Sequence, residues 1–445
     1  MPMPTAATPL PEPSADEPSV AEAFELAMRA HSQGDVSTAR AAYARLCERM
    51  PDNPDAWHLA GVLEGQYGHG DDAVRLIQRA LAMDASQAMF HNNLGNLYAR
   101  ATRRDEAEAC YRRAIELNPK LFDARNNLGL LLRWRGRHDD AEAAYLAILE
   151  EAPGFVDARQ NIVALYIAQG RLRDAMLQAA AGLMTAPRNR LLRRLLGRVY
   201  ADHDAIDKAI ELYEKWAADD PDDPEPPHHL AALRKKGVPD RASDSYVVST
   251  FAGFANTFDS KLAELEYRAP QLVGERVRQI YGEPQAALDV VDAGCGTGLC
   301  APLLRPYARH LVGVDLTPQM LVRANERGGY DDLQVGELVK FLRERPSCCD
   351  LLVSADTLCY FGRIDEFAGV AYGALRPGGR LLFTVEAHEG EPEFRLYPHG
   401  RYSHAAPYVL RALGQAGLAE VATDEVVLRM ERGQPVRGWL VHARR

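Results

Sequence analysis

Apolar residues between positions 20 and 223 fall at helical spacing, and the pattern returns every 34 residues. Ala39, Ala73, Ala107, Ala141, Ala175 and Ala209 share one phase. Four residues later stand Tyr43, Ile77, Tyr111, Tyr145, Ala179 and Tyr213, large in all cases but one. Leu94–Gly95, Leu128–Gly129 and Leu196–Gly197 keep the frame. Pro119, Pro153, Pro187 and Pro221 punctuate it, with Pro51 two periods ahead of the first. Such a pattern predicts paired helices. Small residues let the helices of a pair approach, large ones fill the space between pairs, and proline closes each second helix because it lacks a backbone donor. A single pair cannot bury its own apolar face, so the pairs must stack into one solenoid. Six units and a capping helix near 225–236 are expected, giving a first domain over 20–236.

After the proline- and acid-rich PDDPEPP stretch at 221–227, residues 237–245 read as a linker. From 246 to 445 the grammar changes to short apolar runs alternating with helical stretches, the mark of an α/β domain with a mainly parallel sheet. Ahead of the array, the first 18 residues hold six prolines and no apolar core, so 1–19 is expected to be a disordered tail and not a signal peptide.

The 34-residue unit resembles the tetratricopeptide repeat, a helix–turn–helix module. Within it, Asn93, Asn127 and Asn161 occupy one position of three successive first helices, preceded in two cases by Asn92 and Asn126. The HNNLGN and RNNLGL segments are similar to the asparagine ladder of the repeat domain in O-linked N-acetylglucosamine transferases. That resemblance implies a groove binding an extended polypeptide through side-chain amides, which both donate and accept. The residues also admit a second reading, in which the amides bridge helices inside the solenoid.

In the second domain the LDVVDAGCGTGL segment, residues 288–299, ends a β-branched run at Asp292 and alternates Gly294, Gly296 and Gly298 before a helix. Glycine suits a backbone that must turn tightly and approach a ligand closely. Leu299 stands where a dinucleotide fingerprint expects its last glycine, and the leading acid suits a cationic cofactor. LVGVDL ends at Asp315, LQVGEL places Glu337 after a third strand, CDLLVSADTLCYFG carries Asp356 and Tyr360, and ALRPGGRLLFTVE forms a turn and fifth strand. In order and spacing these elements resemble class I S-adenosylmethionine (SAM)-dependent methyltransferases. The resemblance implies a Rossmann-like fold and SAM as cofactor, with Asp292, Gly294, Gly296, Gly298, Asp315, Glu337 and Asp356 on its side of the site. Flanking segments, FAGFANTFDSKLAELEYRAPQLV, GRYSHAAPYV and RMERGQPVRGWLV, are similar to predicted methyltransferases with attached repeats. They are also similar to the Williams–Beuren-region methyltransferase-like proteins.

Methyl transfer from a sulfonium is a direct displacement, so positioning carries most of the catalysis and a base is needed only for a protonated nucleophile. Tyr360, His404 and His388 are the candidate catalytic residues, and Arg401 and Tyr402 the candidate acceptor contacts. A DPPY- or NPPF-type motif is absent after the fourth strand, which turns the expectation from amine to O-methylation of a carboxylate or hydroxyl. Tyr246, Phe251, Phe254 and Phe258 have helical spacing that suits packing on the sheet or, in a second reading, a lid excluding water.

Composition narrows the classes. The formal charge of -10 disfavours a nucleic-acid partner, and no apolar run of about 18 residues predicts a membrane span. Seven cysteines without a CxxC pair point to reduced thiols, a cytoplasmic setting and no metal site. The expected function is a SAM-dependent methyltransferase whose repeats recruit a protein or peptide, or a protein-borne substrate, through their inner face. Two alternatives stand beside it: a small-molecule enzyme whose repeats only mediate assembly, and an idle SAM-binding scaffold.

Overall fold

The computed structural model describes residues 19–253, 255–431 and 433–445, so the proline-rich stretch 1–18 and Phe254 lie outside the described residues. The chain forms two compact units, Met1–Leu165 and Tyr166–Arg445. The division falls inside the repeat array and not at the 237–245 segment.

In the first unit, helices alternate as α1 (Val20–Gln33), α2 (Val36–Arg49), α3 (Pro54–Gln66), α4 (Gly70–Met83), α5 (Ala88–Arg100), α6 (Arg104–Leu117), α7 (Phe122–Trp134) and α8 (His138–Glu151). The helix α9 (Val156–Ala168) spans the division, and α10 (Leu172–Thr185), α11 (Arg190–Asp202), α12 (Ile206–Asp219) and α13 (Glu225–Arg234) open the second unit. All six phased alanines are fully buried. A Cβ on Gly95 would stand 2.6 Å from the Tyr111 ring, and Gly129 and Gly197 are equally close to Tyr145 and Tyr213. These glycines therefore set the spacing of their three helix pairs, and the aromatics fill it.

The second unit continues with α14 (Asp244–Ala252), α15 (Phe258–Glu264) and α16 (Ala269–Tyr281), then β1 (Leu288–Ala293), α17 (Ala301–Leu304), β2 (Ala308–Asp315), α18 (Pro318–Arg327) and β3 (Asp332–Val335). There follow α19 (Leu338–Arg343), β4 (Cys349–Ser354), α20 (Asp365–Ala374), β5 (Leu375–Ala387), β6 (Phe394–Leu396), β7 (Tyr402–His404), α21 (Ala406–Gln415), β8 (Ala419–Glu431) and β9 (Gln434–Arg444). The sheet runs β3-β2-β1-β4-β5-β7-β6, with β9 antiparallel to β5 and β8 antiparallel to β9. From β3 to β5 all pairings are parallel. Successive strand residues face opposite cores: Val291, Leu352 and Leu381 pack with α19, α20 and α21, whereas Val290, Leu351 and Leu382 pack with α16 and α17.

The expected linker is bonded along its length. Gly362 and Arg363 donate backbone N–H groups to the Asp240 carbonyl at 2.8 Å, and Ala242 donates to the Tyr360 carbonyl at 2.8 Å. Tyr402 donates its hydroxyl to the Pro239 carbonyl at 2.9 Å. No helix among the described residues is long and apolar enough to cross a membrane, and no cluster of three or more His, Cys, Asp or Glu there is arranged to hold a metal ion.

Candidate functional site

The carboxyl ends of β1, β2, β3 and β4 open onto one cavity of about 370 Å³, a size usual for small-molecule sites (~300–1,000 Å³). On its β1 side Asp292 is almost wholly buried. Tyr330 donates its hydroxyl to Asp292 Oδ2 at 2.6 Å, while Oδ1 is buried without a hydrogen-bond partner among the described residues. Burial, with the Asp315 charge adding to it, pushes the Asp292 carboxyl up to about 7. An orphaned acceptor in a cavity wall is what a bound ammonium would satisfy. Gly294 takes φ 76° and sits so close to Thr357 that a Cβ would collide with its hydroxyl. Asp315 accepts backbone N–H groups from Gly296 at 3.0 Å and Thr317 at 2.8 Å, which leaves lone pairs on both oxygens for sugar hydroxyls. These residues fit SAM.

Glu337 also lines the cavity, but its carboxylate caps α19 by accepting from Val339 and Lys340 at 3.0 and 2.8 Å and pairs with Arg241 at 3.2 Å. The aromatic segment before β1 covers the cavity: Phe251 meets Phe258 and Tyr360 edge-on, with ring centres 5.8 and 5.5 Å apart. Thr297 in the glycine loop donates to Asp259 at 2.5 Å, and Arg327 pairs with the same carboxylate, so α15 is tied down to the loop it covers. Tyr246, Phe251 and Phe258 all face the cavity.

Opposite the glycine loop lies a buried charge cluster. Arg429, 3% exposed at its side chain, pairs with Asp356 at 3.1 Å, with Glu431 at 2.8 Å and with Glu386. Arg401 pairs through Nε with Glu386 at 2.6 Å and through Nη2 with Glu431 at 2.5 Å. Its Nη1 has no hydrogen-bond partner among the described residues. Burial works against ionisation of Glu431, but Arg401 and Arg429 outweigh it and hold the carboxyl down at about 2. For Asp356 burial wins over Arg429 and raises the pKa. Asp356 also takes φ 55°, held by its N–H to Thr384 Oγ1 at 2.8 Å. His399 lines the same wall, and burial, reinforced by Arg401, pushes its pKa down to about 4. The Arg401 N–H donates to His399 Nδ1 at 3.3 Å. The neutral ring therefore carries its proton on Nε2 and is a donor there.

Several residues singled out from sequence stand elsewhere. His404 is fully buried on β7 with Nε2 bonded to the Gly362 carbonyl at 3.0 Å. His388 is held by Ser403 Oγ at 2.7 Å and the Pro392 carbonyl at 2.6 Å, and Tyr402 is spent on Pro239. None of the three lines the cavity, whereas Tyr360, Asp356 and Arg401 do. His404 lies at the end of β7 and His388 one residue past the end of β5, and both rings spend their nitrogens inside the fold. The asparagines make the inter-repeat bonds that their second reading describes. Asn93 donates to His58 at 2.9 Å, Asn127 to Asn92 and Asn96 at 3.1 and 3.0 Å, and Asn161 to Asn126 at 2.8 Å. Each amide bridges one repeat to the one before. Sequence reasoning passed over His399, Arg429 and Glu431. Arg429 and Glu431 share one face of β8 at a spacing of two, and charges pointing inward at strand period were the available signal.

Residues 291–383 match the family described as methyltransferase domain, and residues 92–154 and 163–224 the tetratricopeptide repeat. Methyltransferase-like protein 27 of Homo sapiens is 30% identical over 187 residues, covering 41% of this chain and 71% of that protein. The mitochondrial ubiquinone biosynthesis O-methyltransferase of Rattus norvegicus is 26% identical over 160 residues, 32% of this chain and 46% of that one. The malonyl-acyl-carrier-protein O-methyltransferase of Pectobacterium atrosepticum is 29% identical over 141 residues, 32% of this chain and 53% of that one. The chain thus spans about half the length of these two O-methyltransferases.

Proposed function

Since the chain belongs to the methyltransferase family that includes human methyltransferase-like protein 27, we propose that it transfers a methyl group from SAM to an ionised oxygen, a carboxylate, of an acceptor brought to it through the repeats. The wall facing the cofactor side carries the reading. Arg401 Nη1 and the Nε2–H of His399 are donors without a protein acceptor among the described residues, and they suit an oxyanion. Two of the three carboxylates in that wall are poor bases: Glu386 and Glu431 are held ionised by the two arginines in spite of burial, and a weakly basic carboxylate takes a proton reluctantly; the third, Asp356, is raised by burial and engaged by Arg429. A carboxylate acceptor needs no base. The two O-methyltransferases among the relatives support transfer to oxygen.

When bound, SAM supplies a methyl group on an excellent leaving group. Asp292 would hold the cofactor's ammonium and Asp315 its ribose hydroxyls, and Glu337 with Arg241 would border the adenine end. Phe251, Phe258 and Tyr360 keep water from the reacting centre, which strengthens the electrostatics inside. Arg401 and His399 orient the acceptor oxygen for in-line attack, the term that positioning supplies. The amides of Asn93, Asn127 and Asn161, engaged between repeats, favour a second reading: a small acid diffuses into the cavity and the repeats serve assembly.

Calorimetric titration of SAM into the wild-type chain and Asp315→Ala comes first. Binding that weakens roughly hundredfold or more in the variant is expected, since two hydrogen bonds to a charged group are lost. Absence of heat with the wild type would remove the methyltransferase reading. Label from methyl-labelled SAM should then leave the product as methanol in mild alkali, as esters do; alkali-stable label would sink the carboxylate.

A further inference from the structure

The loop between β6 and β7 carries both donors of the proposed acceptor wall, and two buried histidines of α13 hold it. His228 donates from Nε2 to the Gly400 carbonyl at 2.9 Å, and His229 donates from Nδ1 to the Pro398 carbonyl at 2.9 Å. Carbonyls can only accept, so the bonds fix both tautomers. Burial pushes both pKa values below the ordinary range, to about 3 for His229, which keeps the rings neutral. The two anchored carbonyls flank His399, and Arg401 follows directly. Tyr246 of α14 stacks on His228 with ring centres 4.0 Å apart. Gly400 takes φ 89° and is packed so tightly that a Cβ would collide with the Tyr246 hydroxyl. On its other side His229 stacks on Tyr213 of α12 at 4.9 Å, and Tyr213 fills the space left by Gly197 of α11. Glu225, buried in the first turn of α13, pairs with Arg194 of α11.

We infer that the last repeat is a working part of the acceptor site, with His228 and His229 as positioning residues that set where His399 and Arg401 stand. The contacts run without a gap from α11 through Tyr213 and the two histidines to the loop. Nothing in helix packing requires two neutral imidazoles at adjacent positions of a capping helix to spend their N–H groups on a loop some 170 residues away. Their effect is to remove freedom from a five-residue loop, and preorganised donors lose less on binding an acceptor. It follows that cutting away residues 1–236 would loosen the acceptor wall as well as delete the repeats. The inference takes its catalytic meaning from the methyltransferase reading, while the anchoring itself can be measured apart from it.

The test is amide hydrogen exchange, read by mass spectrometry on the full chain, at Tyr397, Gly400 and Arg401, whose N–H groups close the loop on itself. His228→Phe keeps a ring against Tyr246 and removes the donor. Exchange at those amides should rise roughly tenfold, about what one net hydrogen bond allows. His228→Gln, which retains an N–H donor, should return it towards wild type, and residues 294–299 and SAM affinity should stay unchanged. The same exchange rates in the His228→Phe/His229→Phe double variant as in wild type would overturn the inference. So would a rise spread equally over the glycine loop, which marks general loosening. A wild type that binds no SAM but shows the loop effect would refute the methyltransferase reading and leave the anchoring intact.

Discussion

Asp292 shows how one carboxyl can set a pH dependence for the whole cofactor site. Its pKa near 7 arises from burial beside Asp315, and a cationic ligand needs it ionised. Cofactor affinity should therefore fall as pH drops below 7, towards about tenfold per unit. Titrations at pH 7.5 and 5.5, both below where the cofactor's own amine loses its charge, should differ by more than tenfold, with proton release at the lower pH. Asp292→Asn should bind weakly and equally at both, and equal affinity in the wild type would refute the assignment. On the cofactor side the residues singled out from sequence, Gly298 excepted, line the cavity, because glycines and acids there follow from backbone geometry and ligand charge. On the acceptor side Tyr360 and Arg401 line the cavity, and His388, Tyr402 and His404 do not. His388 and His404 were legible as histidines near the strand ends, yet where the His404 ring points depends on the pleat register of β7, and His388, just past β5, and His399 lie in loops with no periodicity to place them.

Elements carry a different kind of specification. Four repeats pair a glycine (Gly61, Gly95, Gly129 and Gly197) with a large partner about two turns into the next helix, and the fit leaves no slack: a Cβ on Gly129 would stand 2.6 Å from the fully buried Tyr145 ring. Overpacking of this kind costs about 1–3 kcal/mol, more than the ~1 kcal/mol that alanine gains over glycine in a helix. Gly129→Ala should thus lower the thermal midpoint by a few degrees, and adding Tyr145→Leu should recover part of the loss. Gly154→Ala, where nothing lies within 4 Å of the added atom, should leave the midpoint unchanged. An unchanged midpoint in Gly129→Ala would mean the helix pair can open without penalty. The phase of alanine, glycine and tyrosine made this packing legible residue by residue. The asparagine pattern shared that phase, and its amide nitrogens bond to the preceding repeat, since a side-chain amide serves a neighbouring helix as readily as a peptide backbone.

Over the whole molecule, buried neutral imidazoles recur: His58, His399 and His404 are pushed down to about 4 and His229 to about 3, in each case chiefly by burial. The unfolded chain protonates all four near 6.5, so between about pH 4 and 6.5 it binds more protons than the folded one. Stability is then fully present above about 6.5 and is lost as pH falls, each group contributing up to about 1.4 kcal/mol per pH unit. Asp292, Asp315 and Asp356, raised by burial, act in the opposite sense, while His228, His388 and His442, also lowered by burial, add to the four. Calorimetric midpoints should be level from pH 8 to 7 and lower at 5.5 and 4.5 in turn; a midpoint that rises on acidification would contradict this. The order of elements, the repeat period, the parallel strand grammar and the glycine loop follow from the sequence alone, because hydrophobic periodicity and backbone conformational demands act locally. The position of the division inside the repeats, the docking of α13 onto the β6–β7 loop and the assembly of Asp356, Glu386, Arg401, Arg429 and Glu431 into one cluster depend on tertiary structure. Those residues are up to 75 positions apart, counting from Asp356 to Glu431, and only the assembled sheet places their charges within hydrogen-bonding distance.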